Sequence, residues 1–162
     1  MKGGDRRGRT TGAAVAAPAA RLLARIDVAW QGWLGVLDGV PTARLTEPGA
    51  VGTWSVHDLM GHLAVWEALA VERGRRLIAG EVLERVDWRG INAREAAARA
   101  GTSAAEQRTE MERTHRDLVA FLGGLSAAEL RTPGLRGRLR STAEHSDEHA
   151  AQVRRWRERV GV

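Results

Sequence analysis

The chain has no cysteine, no tyrosine and a single phenylalanine. Without cysteine there are no disulfides, no thiolate-bound zinc and no cysteine nucleophile, so any metal would need His, Asp or Glu ligands. No run of about 18 apolar residues occurs, which leaves no sequence for a membrane-spanning helix. Period-two alternation is missing too, and with it the usual signature of a half-buried strand. Against these absences stand six Trp and five His in 162 residues. That length suits one domain with a continuous core. The indoles either fill that core or line a pocket, and core packing is the commoner use.

The net charge of +5 is unevenly spread, with four basic residues against one acidic over 1–20, 13 against 15 over 21–130, and eight against four over 131–162. The body of the chain is therefore no basic nucleic-acid surface. Lys2, Arg6, Arg7 and Arg9 sit in a Gly-rich stretch that reads as a solvated, disordered leader over residues 1–18, able to meet phosphates weakly and without sequence readout. A twin Arg followed by Ala residues raises an export signal. The run lacks Leu, Ile and Phe, however, and Pro18 interrupts it, so a cytoplasmic location is expected.

Apolar spacing near 3.6 predicts an all-α fold of four principal helices with long connections, a four-helix bundle over residues 19–162. The first spans about 19–37, with Leu22, Leu23, Ile26, Ala29, Trp30, Trp33 and Leu37 on one face. Ser55-x-x-Asp58 resembles a capping box and opens the second, which runs to about Ala79 before Gly80. Residues 81–101 hold a short covering helix. Ser103-x-x-Glu106 starts the third, with Met111, His115, Leu118 and Leu122 on its stripe, and Ser141-x-x-Glu144 is expected to cap the fourth after a loop through Pro133, Gly134 and Gly137.

His145 and His149 are four apart, in register with Val153, Trp156 and Val160. Helical side chains at this spacing are neighbours, so both rings can reach one metal ion at about 2.0–2.1 Å per bond. His62 aligns with Leu59, Leu63, Trp66 and Leu69 and also faces the core. Three buried imidazoles need partners, and one shared cation (Zn, Ni or Fe are suitable) would satisfy all three while leaving a coordination position open. The alternative is that each is a core histidine hydrogen-bonded to a carbonyl or carboxylate. His57 lies off the stripe and is expected at the surface or in a cap. His115 is a candidate proton shuttle or a satisfied core residue.

Two further metal patterns do not hold. His145-Ser146-Asp147-Glu148-His149 spells H-x-x-E-H, but only thirteen residues follow, too few for the further ligand that a zinc peptidase needs. Glu112-x-x-His115 is half of a di-iron signature without its second half. Glu148 remains a candidate base at the edge of the site. Trp30, Trp33 and Trp66 are candidate walls of a ligand pocket.

GTWSVHDLMGHLAVWEALA at 52–70 resembles the W-S-x-x-D-L-x-x-H-L-x-x-W-E element of DinB-like proteins. STAEHSDEHAAQVRRWRE at 141–158 is similar to their final helix, and the likeness extends over about residues 19–160. It implies a four-helix bundle, often a homodimer, in which positions matching His62, His145 and His149 bind a divalent metal. It also implies either a transferase that presents a low-molecular-weight thiol such as mycothiol to a small electrophile, or a hydrolase acting on one. A second branch, resembling the colibactin self-resistance protein, implies hydrolysis or sequestration of a reactive natural product, in some members without a metal.

Overall fold

The computed structural model describes residues 17–162. The leader expected over 1–18 lies outside these residues except for Ala17 and Pro18, which open the first helix. Five helices follow in chain order: α1 (Ala17–Leu37), α2 (Val56–Ile78), α3 (Trp88–Ala98), α4 (Ala104–Gly123) and α5 (Leu135–Val160), with 3₁₀ turns at Thr42–Arg44 and Glu129–Arg131. No strand occurs among the described residues; one isolated antiparallel bridge joins Val51 and Trp54. Among these residues no helix is long and apolar enough to cross a membrane.

The helix starts are set by local chemistry. Ser55 Oγ accepts the Asp58 N–H at 3.1 Å while Asp58 Oδ2 accepts the Ser55 N–H at 2.8 Å, a complete capping box. Ser103 and Glu106 form the same pair at the head of α4. Pro18 occupies the first turn of α1, where a missing N–H has no helical partner to lose. Gly80, at φ +82°, follows the end of α2 in a conformation that excludes most side chains.

The long helices α1, α5, α2 and α4 pack in a closed ring, and the short α3 lies against α2. Their apolar faces form two clusters. Trp30, Trp33, Leu59, Met60, Met111 and Trp156 belong to one, and Ile26, Val71, Leu118, Leu122, Leu135 and Leu139 to the other. Between them in sequence on α2, α4 and α5 lies a polar layer that includes Glu67, His115 and Ser146, all buried.

Two expectations are corrected here. Helix α5 begins at Leu135, not Ser141, because Leu135 and Leu139 are wholly buried and draw two more turns into the helix. Burying each is worth roughly 1.5–3 kcal/mol, more than the roughly 1 kcal/mol cost of the helical Gly137. Ser141 is then inside the helix, its Oγ donating to the Arg138 carbonyl at 2.7 Å. His57 is buried rather than exposed. Its Nε2–H donates to the Thr102 carbonyl at 2.9 Å, which ties the head of α2 to the turn before α4.

Candidate metal centre and its cavity

Helices α2 and α5 run antiparallel, and their facing stripes bring His62 against His145 and His149. His62 Nε2 is 2.8 Å from His145 Nε2, which is 2.9 Å from His149 Nε2. One nitrogen from each ring lies within 4.8 Å of the other two. His62 and His149 are buried and His145 half-buried.

The ring protons cannot satisfy this arrangement. His149 Nδ1–H donates to Gln152 Oε1 at 2.6 Å, which leaves its Nε2 with a lone pair. His145 Nε2 has two imidazole nitrogens within hydrogen-bond distance and at most one proton to place between them. Burial pushes His62 down to about 3, helped by the neighbouring imidazoles and the Arg99 guanidinium, and pushes His145 down to about 4. His149 is lowered by the same cause against the opposing Gln152 bond. Neutral imidazoles aiming lone pairs at one point are the donor set that a borderline divalent cation takes.

Close packing supports the site from behind. Gly61 precedes His62, and a Cβ there would overlap the Arg99 guanidinium that crosses this face of α2. On the other side, the rings open into a cavity of about 560 Å³ between α2 and α5, roofed by the start of α3 and by the Val51–Trp54 bridge. Trp66 lines it, held by an indole N–H bond to Asn92 Oδ1 at 3.0 Å. Glu148 stands exposed at its edge, where its charge acts on His149.

Three candidate residues are not brought to the cavity. Trp30 and Trp33 are core residues, and the Trp33 indole N–H is already given to Met111 Sδ at 3.0 Å. His115 is stacked on Trp30 at 3.8 Å between ring centroids, with its Nδ1 3.0 Å from Glu67 Oε1. The apolar stripe of α1 faces α4 and α5 across the interior, away from the α2–α5 cleft, so its indoles pack instead of lining a pocket. Trp54 and Trp88 line the cavity in their place, with Asn92, Arg138 and Gln152, which sequence reasoning did not single out. Gln152 had a legible signal, three residues beyond His149 on the same helix. Trp88 and Asn92 had none, because only the fold of the 81–87 connection carries α3 over this cleft.

No curated protein matches the chain. Two solved structures are similar to it. One is described as Sibling Lethal Factor Precursor, DfsB, with a TM-score of 0.75 and 18% identity over 89% of this chain and 97% of that one. The other, an uncharacterised protein from Escherichia coli UTI89, also has a TM-score of 0.75 and 18% identity, over 91% of this chain and 97% of that one. At such identity the likeness establishes the all-helical fold. The family model described as DinB superfamily matches residues 25–153, a span that includes all three converging imidazoles, all of α2 and most of α5. The chain belongs to the DinB superfamily.

Proposed function

We propose that His62, His145 and His149 hold one divalent metal ion, and that the adjoining cavity brings a small electrophile to a nucleophile activated at that ion. The observation that carries this reading is the convergence of three imidazole nitrogens, two on buried rings and one on a half-buried ring, whose protons cannot satisfy one another. When bound, the ion supplies a Lewis acid that favours the deprotonated form of water or of a low-molecular-weight thiol such as mycothiol.

The remaining tasks fall to the chain itself. Gln152 fixes the His149 tautomer, so that Nε2 faces the site. The indoles of Trp54, Trp66 and Trp88 exclude water from the bound electrophile. Glu148, at the cavity edge, is placed to take the proton that the water or thiol gives up in becoming the nucleophile. Thiol transfer and hydrolysis both fit these roles.

A second reading is favoured by the same three indoles. An indole-walled cavity can sequester or expose to hydrolysis a reactive compound with no metal involved, as in a self-resistance protein. Metal content separates the two. Protein purified without an affinity tag should contain, or take up from supplied Zn, Ni or Fe, about one ion per chain. His62→Ala and His149→Ala should abolish uptake, and Gln152→Ala should weaken it by roughly 10- to 100-fold. A wild-type chain that takes up no ion would refute the metal reading and leave the second.

A further inference from the structure

The cavity is not uniform in charge along its length. Arg138, Ser141, Thr142 and His145 line it from one face of α5, at spacings of three and four residues. Arg138 and His145 are thus two helical turns apart, about 10 Å along the axis at about 1.5 Å per residue. The hydroxyls between them are already committed: Ser141 Oγ and Thr142 Oγ1 donate to the carbonyls of Arg138 and Leu139, each at 2.7 Å. Trp66, Leu69 and Ala70 supply apolar wall from α2.

The Arg138 Nε is buried with no acceptor, and no ion pair forms at its guanidinium among the described residues. The nearest charges make this worse on balance. Burial holds Arg138 below the usual Arg range, and the like charge of Arg73 on α2 adds to that, against a weaker opposing pull from Glu72. Both neighbours are engaged elsewhere. Arg73 gives a bond to the Glu84 carbonyl at 2.6 Å, and Glu72 is paired with Arg76 at 3.4 Å. The Arg138 side chain is half-buried, and although its Nε is shielded, its accessible Nη groups have no acceptor among the described residues; free guanidinium donors at the end of a mostly apolar cavity are where an anionic ligand group would be met.

We propose that the Arg138 end of the cavity is a carboxylate subsite, and that the ligand is an apolar-bodied carboxylic acid whose acid group sits about 10 Å from the atom presented to the imidazoles. The assignment rests on the reading of this cavity as the substrate site. A carboxylate matches the planar fork of a single guanidinium, whereas a phosphate dianion would bring a second charge into an indole-lined space with no further donor to meet it.

The test uses octanoate, octanamide and octyl phosphate as probes of the full-length chain in EDTA, followed by the fluorescence of the cavity indoles. Octanoate should bind wild-type protein at least roughly tenfold more tightly than octanamide, the ratio expected of one charge-assisted contact. Arg138→Gln should bring the two within about threefold, and Arg138→Lys should fall between. Equal binding of octanoate and octanamide by wild-type protein, which requires no variant, would overturn the proposal. So would a preference that survives Arg138→Gln, or octyl phosphate binding more tightly than octanoate. Zinc uptake is measured on separate EDTA-free portions of the same preparations. A carboxylate preference that needs Arg138 in a chain that takes up no zinc retains the subsite and removes the metal, and zinc uptake without the preference does the reverse.

Discussion

Glu67→Gln should change how the stability of this chain depends on pH. Glu67 is 4% exposed; one carboxylate oxygen is 3.0 Å from His115 Nδ1 and the other has no partner at all. Burial raises its pKa above the ordinary 4.5, only partly offset by the His115 bond and charge. The folded chain therefore holds this proton more tightly than the unfolded chain does. That contribution to stability is present in full below about pH 4.5 and is lost as pH rises through the raised folded value. Glutamine does not titrate, keeps an oxygen for the His115 N–H and removes the buried charge, at the cost of orphaned amide donors worth about 1–3 kcal/mol. The advantage of wild type over Glu67→Gln should accordingly shrink between pH 4.5 and 8. Glu67→Ala should cost more than Glu67→Gln at every pH, from an unpaired imidazole donor at about 1–3 kcal/mol and one lost buried methylene at about 0.8 kcal/mol. Urea titrations at several pH values measure both, and Trp30, stacked on His115, serves as a local fluorophore. A wild-type advantage that grows with pH would show that pairing with His115 outweighs burial, and would refute the reasoning.

Three further outcomes follow from packing. His57→Ala should lower stability by about 1–2 kcal/mol, because it leaves the Thr102 carbonyl without its 2.9 Å donor; thermal melts measure this, and an unchanged melting temperature would contradict the tie between α2 and α4. Ser103→Ala should cost about 1 kcal/mol through loss of the α4 capping box, with increased amide exchange confined to the first turn. Gly74→Ala gains about 1 kcal/mol of helix propensity but places a Cβ 2.9 Å from two Phe121 ring atoms, so a net loss of about 1 kcal/mol is expected by urea titration.

What the sequence disclosed depended on how local the cause was. The helices declared themselves through apolar period and through Ser-x-x-acid caps, two of which are complete boxes at the heads of α2 and α4. The three imidazoles were legible for a related reason. A histidine on an otherwise apolar stripe stands out, and the spacing of four fixes two of them on one helix without reference to anything else. The cavity walls were not legible. Trp30, Trp33 and Trp88 look alike as isolated letters, and only the placement of α3 on α2 sends Trp88 to the cleft while the other two pack in the core. His57 misled for a similar reason, since its partner is a backbone carbonyl 45 residues away, which no side-chain pattern announces.

Arg138 was hidden by a boundary error. With α5 started at Ser141, Arg138 falls in a loop, where an arginine reads as solvated. Starting the helix at Leu135 puts Arg138 in register with His145, seven residues on, and hence on the wall of the same cavity. The antiparallel course of α2 and α5 then does the rest: it sets His62 against His145 and His149 at one level, and Arg73 near Arg138 at another. The false cap and the unpaired guanidinium are therefore connected. The two buried leucines that extend α5 past Ser141 are what carry a positive charge into the α2–α5 cleft. A substitution that frays this first turn, such as Leu135→Ser, should weaken octanoate binding while leaving the imidazole end of the cavity able to take up zinc, because the two ends share a helix but not a turn.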